Sequence, residues 1–177
     1  MFGRCRVYVI GEQALADDVT SMGHQLVASA PADAVLVGFT DRFSYASLVS
    51  ALPILAAGAS LVVTDEAPVY AASNGTMPGA GSLVGAFRGM GYEPVAIAGK
   101  PCGAAVDLAL EAAATPKDRV ALIGDSLPND GRAARHIGVS FVLVLTGVSS
   151  AKDEDEVVGS PDHIYATLAD ASSHIGR

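Results

Sequence analysis

Short β-branched and leucine-rich runs recur along this chain, each followed by a stretch whose apolar residues return with helical spacing. The runs at Arg6–Ile10, Ala34–Val37, 61–63, 95–98, 120–123, 141–145 and His163–Tyr165 are strand-length and nearly continuously apolar. Strands covered on both faces read this way, so the pattern predicts parallel sheets flanked by helices, an α/β fold. Half of the 177 residues are apolar and 17% are charged, enough to bury a core in one domain or two small ones.

Helical spacing is carried by Leu15, Val19 and Met22 and then by Tyr45, Leu48, Leu52 and Leu55, with Ser44 as N-cap. It returns in Leu83, Val84 and Phe87, and again in Val106, Ala109 and Leu110. Between the third run and the third helix lies the connection 64–80, with two prolines, two glycines and an Asn74-Gly75 turn pair. A connection that long inside a compact domain is functional or mobile. The acidic stretch 153–156 reads as a solvated helix turn.

A net charge of −8 and a pI near 4.7 leave no basic field for nucleic acid or an anionic membrane surface. Cys5 and Cys102 form no CxxC or Cys/His cluster, and the four histidines lack metal-ligand spacing. No apolar stretch is long enough for a signal peptide or a membrane span, and a soluble cytoplasmic protein is expected. A nucleophile elbow, a Walker loop and a dinucleotide fingerprint are all absent.

The chemistry-bearing residues concentrate at the carboxyl ends of strands, where open α/β sheets bind ligands. Gly124-Asp125-Ser126-Leu127-Pro128-Asn129-Asp130 follows the run 120–123 and leads into a helix. Two carboxylates on one tight loop can hold a hard cation such as magnesium. Equally, Asp125 can simply end a strand and Asp130 cap the next helix. Lys100, before Pro101, would sit beside exposed helix N–H groups that suit a phosphate, or be a solvated turn lysine. In the long connection, Thr64, Asp65 and Asn74 are candidates for substrate contact.

With these residues in place, the chain resembles the NagD-type, p-nitrophenylphosphatase-like branch of the haloacid-dehalogenase (HAD) superfamily. The matching stretches are Val7-Tyr8-Val9-Ile10-Gly11-Glu12, Ala34-Val35-Leu36-Val37-Gly38-Phe39, Phe43-Ser44-Tyr45 and Pro78-Gly79-Ala80-Gly81-Ser82-Leu83-Val84. Further on come Gly99-Lys100-Pro101, Gly124-Asp125 with Asp130, Leu145-Thr146-Gly147-Val148 and Pro161-Asp162-His163.

The resemblance implies an α/β cap domain over residues 1–93, followed at 94–177 by the C-terminal half of a Rossmann-like parallel-sheet HAD core. It implies a phosphomonoester hydrolase working through a phospho-aspartate, with Mg2+ as cofactor and a small phosphorylated metabolite as substrate. Asp125 and Asp130 would serve the metal, Lys100 would neutralise the transferring phosphoryl group, and Thr64 and Asp65 would contact substrate.

Departures from the family pattern accompany these matches. The family's Asp-x-Asp strand precedes the cap, and this sequence opens at the cap's first strand. Ser126 stands where the family usually has Arg, Pro128 where it has Asp, Thr40 in an Asp position, and Thr64-Asp65 replaces Thr-Asn. The expectation is an N-terminally truncated phosphatase, inactive alone. The alternatives are a subunit completed by a complementing N-terminal half, and a non-catalytic module binding a phospho-ligand or protein. A homo-oligomer is an open possibility.

Overall fold

The computed structural model describes residues 3–73, 75–101 and 104–174. The chain divides into two compact units, one formed by Met1–Pro68 with Pro78–Ala98, the other by Val69–Met77 with Gly99–Arg177.

The first unit is a doubly wound sheet. β1 (Arg6–Ile10), β2 (Gln25–Leu26), β3 (Ala34–Val37), β4 (Ser60–Val63) and β7 (Ala96–Ile97) stand in the order β2-β1-β3-β4-β7, all parallel. α1 (Gln13–Ser21) joins β1 to β2, while α2 (Tyr45–Ala56) and α3 (Ala80–Gly89) serve connections running the other way along the sheet. Right-handed crossovers therefore put α1 on one face and α2 and α3 on the other. Val35, Val37, Leu61 and Val63 meet Ala51, Ile54 and Leu55 of α2 and Val84 and Phe87 of α3 in one buried cluster.

The resemblance implies a cap over residues 1–93, and the first compact unit runs to Ala98. β7 is hydrogen-bonded into the first sheet, with Val62 opposite Ala96 and Val63 opposite Ile97, and the Val95 and Ala98 N–H groups donate to Leu61 and Val63. That pairing makes the run 95–98 part of the first unit. The long connection 64–80 is also not a plain loop. It contains the two-stranded pair β5 (Val69–Ala72) and β6 (Gly75–Pro78), and Val69–Met77 belongs to the second unit.

The second unit carries three parallel strands in the order β10-β9-β8: β8 (Ala121–Gly124), β9 (Ser140–Val144) and β10 (His163–Tyr165). α4 (Ala104–Ala113) precedes them, α5 (Arg132–Ile137) joins β8 to β9, and α6 (Leu168–His174) follows β10. β9 explains its own composition. Phe141 and Leu143 enter a cluster with Leu127, Ala134 and Ile137, while Val142 and Val144 pack on the other side with Ala171. A strand buried on both faces has no polar alternation. Asp162 fastens its start, accepting the Phe141 N–H on Oδ2 at 2.7 Å and donating its own N–H to the Phe141 carbonyl.

Residues 153–156 form no helix turn. Asp153 accepts the Ser150 N–H, and Asp155, 8% exposed, pairs with Arg132 and accepts the Val157 and Val158 N–H groups. These carboxylates are loop fasteners. The Arg132 guanidinium holds the Asp155 carboxyl below its usual range. No helix among the described residues is long and apolar enough to cross a membrane.

Candidate functional site

β8 ends at Gly124, and the chain then makes a π-helical turn over Leu127–Gly131 before α5. Such turns are rare in regular helices and concentrate where side chains must be redirected. Here the extra width turns Asp130 back beneath the end of β8. One carboxylate oxygen, Oδ2, accepts the N–H groups of Asp125 and Ser126, both at 3.1 Å. The other, Oδ1, lies 2.6 Å from Lys100 Nζ. Asp130's side chain is 4% exposed and Lys100's is 50% exposed, so a buried acceptor with three donors anchors a lysine whose remaining N–H groups are reachable from solvent. The structure thus brings Lys100 and the Asp125 loop together. β7 and β8 lie in different sheets, and Asp130 itself forms the link.

Asp125 is fastened from the other side. Its Oδ2 accepts the Val148 N–H at 3.0 Å, its carbonyl accepts the Ser149 N–H at 2.8 Å, and Ser149 Oγ accepts the Leu127 N–H at 3.0 Å. Among the described residues, Asp125 Oδ1 has no hydrogen-bond partner. Two glycines permit these approaches. A Cβ on Gly124 would stand 2.2 Å from the Asp130 Cγ, and one on Gly147 would stand 1.6 Å from Asp125 Oδ2. The sequence marks 145–148 only as a matching stretch. The structure gives it a task, which is to orient Asp125.

Thr64 and Asp65 belong to the first unit. The Thr64 N–H donates to Val37, which continues the β3–β4 pairing, and Asp65 Oδ1 accepts the Ala67 N–H in a local turn. Asn74 and Cys102 lie outside the described residues. The first unit also holds a polar cluster that sequence reasoning gave no role. Thr40, buried, bonds to Glu12 and accepts the Arg42 N–H, and Arg42 pairs with Glu12 at 2.7 Å. The Thr40 hydroxyl first, then Arg42, hold the Glu12 carboxyl below its usual range. These residues line a crevice of about 360 Å³ at the carboxyl ends of β1 and β3, where the strand order reverses. Among the described residues no three His, Cys, Asp or Glu side chains are grouped to hold a metal.

Residues 97–171 match the HAD-hydrolase-like family model. The chain is 37% identical over 152 residues to the D-glycerol 3-phosphate phosphatase of Mycobacterium tuberculosis, covering 84% of this chain and 42% of that protein. It is 28% identical over 165 residues to the ribonucleotide monophosphatase NagD of Escherichia coli, covering 93% of this chain and 64% of NagD. Its structure superposes on the 4-nitrophenylphosphatase of Thermotoga maritima with a TM-score of 0.87 and 30% identity, covering 98% of this chain and 67% of that one. A glycerol phosphate phosphatase of M. tuberculosis solved in complex with magnesium gives a TM-score of 0.82 at 32% identity, over 93% of this chain and 51% of that one. The chain spans about half the length of the first curated relatives it matches, 42% and 56%. Sequence likeness along nearly the whole chain, the parallel-sheet fold and the family match over the Lys100–Asp125–Asp130 segment agree, and the chain belongs to the NagD-type, p-nitrophenylphosphatase-like branch of the haloacid-dehalogenase superfamily.

Proposed function

We propose that this chain supplies the lysine and the metal-side carboxylate of a magnesium-dependent phosphomonoester hydrolase acting on a small phosphorylated metabolite. The observation that carries this reading is the Lys100–Asp130–Asp125 arrangement: one buried carboxylate holds a half-exposed ammonium and, through two backbone N–H groups, the loop bearing a second carboxylate with an open oxygen. Similarity to a phosphatase solved with magnesium supports the choice of metal.

The donors fit that metal on one side only. Magnesium takes one or two protein carboxylates and keeps several waters, and Asp125 Oδ1 is the oxygen that would serve as ligand. Asp130 is committed to Lys100 and to two N–H groups, so it acts as a positioning residue instead of a second ligand. A bound magnesium would supply positive charge to the phosphoryl oxygens. Lys100 would donate N–H groups to the same oxygens, kept in place by Asp130. Val148 and Ser149 hold Asp125 in one orientation, which lowers the ordering needed when a ligand arrives.

No third carboxylate stands with Asp125 and Asp130 among the described residues, and we assign the nucleophile to a polypeptide segment outside the described site. Among the described residues β8 has one neighbour in its sheet, and beside it an apolar groove of about 210 Å³ is lined by Val106, Leu110, Val120, Leu122, Ile137 and Val139. An open strand edge next to apolar surface is a template for another strand, which supports pairing of β8 with a further polypeptide segment.

The test is a magnesium titration of the purified chain followed by thermal unfolding, with p-nitrophenyl phosphate hydrolysis read in parallel. Saturable stabilisation in the parent and none in Asp125→Asn is expected, without turnover by the chain alone. Equal stabilisation of both forms would remove Asp125 as ligand, and magnesium-dependent turnover by the chain alone would remove the external nucleophile.

A further inference from the structure

Ser149 lies on the loop after β9, 22 residues beyond Leu127, and is 7% exposed. It touches the Asp125 loop twice. Its N–H donates to the Asp125 carbonyl at 2.8 Å, and its Oγ accepts the Leu127 N–H at 3.0 Å. The first bond is made by backbone alone, and any residue but proline at 149 could supply it. The second needs a side-chain oxygen at that place, so it is the bond that gives the serine its meaning.

Leu127 opens the π-helical turn Leu127–Gly131, and the leading N–H groups of any such turn have no acceptor inside it. Ser126 stands in the N-cap position but makes no side-chain cap bond, and Pro128 has no N–H to offer. Leu127 is 1% exposed, which keeps bulk water from its N–H. A buried N–H left without a partner is costly. The Ser149 hydroxyl therefore caps the turn from a different segment of the chain. That turn is what carries Asp130 back beneath β8, where it accepts the Asp125 and Ser126 N–H groups and holds Lys100.

We propose that Ser149 is a positioning residue of the candidate phosphatase site: its hydroxyl, by capping the π-helical turn, sets Asp130 and through it both Lys100 and the Asp125 loop. The proposal rests on the reading of Asp125 as the magnesium ligand. The hydroxyl bonds to neither carboxylate and acts through the Leu127 amide. One residue thus ties the two halves of the site together, Asp125 by its backbone and Asp130 by its side chain. Groups that orient a metal ligand without touching the metal change metal affinity by about 10-fold to 100-fold when removed.

The experiment is calorimetric titration of the full chain with magnesium, comparing the parent with Ser149→Ala, Ser149→Val and Ser149→Thr. Valine and threonine share one shape and differ by a hydroxyl, so the pair separates the oxygen from packing. Ser149→Ala and Ser149→Val are expected to raise the magnesium dissociation constant about tenfold, and Ser149→Thr to restore most of the affinity. Equal affinities in the valine and threonine variants would overturn the proposal. A second readout needs no metal. In Ser149→Ala the Asp125 and Ser126 N–H groups, which Asp130 accepts, should exchange with deuterium roughly tenfold faster. The Phe141 N–H, fastened by Asp162 in the same unit, should keep its parental rate. Equal acceleration at all three amides would reduce Ser149 to a general contributor to stability and overturn the proposal. If the parent takes up no magnesium, the reading of Asp125 as ligand falls, and the exchange pattern still decides whether Ser149 holds Asp130.

Discussion

Lys100 and Asp130 lie thirty residues apart in the chain, and the lysine Nζ stands 2.6 Å from Oδ1 of a carboxylate that is 4% exposed. The partners are unequal: the lysine can shed part of its charge interaction to water, and the aspartate cannot. Asp130→Ala strands the Asp125 and Ser126 N–H groups and is expected to lower stability by about 2–4 kcal/mol. Lys100→Met leaves both N–H groups in place and should cost about 1 kcal/mol, since a half-exposed ion pair contributes little. Urea midpoints of the two variants check this ordering, and the reverse order would show that the carboxylate's backbone bonds do not hold the turn.

Gly147→Ala drives a methyl group into the Asp125 carboxylate. Asp125 must swing away, giving up the Val148 N–H bond. The expected outcome is a loss of about 1–3 kcal/mol from overpacking, together with disappearance of any magnesium-induced rise in unfolding temperature. A variant that keeps the full magnesium response would show that Asp125's present orientation is not the binding one.

Two glycines of α3 make a paired test of helix propensity against packing. A Cβ on Gly85 would meet nothing within 4 Å, whereas a Cβ on Gly81 would stand 2.3 Å from the Glu66 carbonyl oxygen. Alanine is the better helix former by about 1 kcal/mol, so Gly85→Ala should stabilise the chain by up to that amount. Gly81→Ala should destabilise it by about 1–3 kcal/mol despite the same propensity gain. Thermal melts of the two variants should move in opposite directions.

Arg6 and Asp33 join β1 to the start of β3 by a side-chain pair at 2.6 Å, with the Arg6 N–H also donating to Asp33. The guanidinium first, then that N–H, pull the Asp33 carboxyl down to about 2. A carboxyl whose folded value lies below its unfolded value of about 3.9 stabilises the fold above that higher value, and the contribution fades as pH falls towards 2. Unfolding temperatures of the parent and Asp33→Asn should therefore differ at pH 6 and converge between pH 4 and pH 2. A difference that persists at pH 2 would assign the effect to packing.

The α/β character and most strands of both units were legible because a parallel strand buried on two faces has a composition of its own, as Phe141, Val142, Leu143 and Val144 show. The face of α2 was not. Periodicity selects Tyr45, Leu48, Leu52 and Leu55 as the stripe facing the core, yet Tyr45 and Leu52 point outward and Ala51 and Ile54 point inward. A helix apolar all round offers no contrast for a period to detect. β2 escaped notice because its two exposed residues, Gln25 and Leu26, carry no burial signal. At the candidate site, the residue types and their loop were readable, but the division of labour was not. That Asp130 spends both oxygens on Lys100 and two N–H groups follows from the π-helical turn, which no spacing rule announces.

The path of the chain bears on how this molecule can be divided. Residues 69–77 belong with the second unit although the segments on either side belong with the first, so the backbone passes from one unit to the other three times. A single protease nick at Ala98–Gly99 would release two pieces, neither of which is a whole folding unit: the N-terminal piece keeps a hairpin that has lost its neighbours, and the C-terminal piece lacks that hairpin. Exchange of either unit between related proteins, by recombination or in the laboratory, needs two junctions more than a tandem arrangement would.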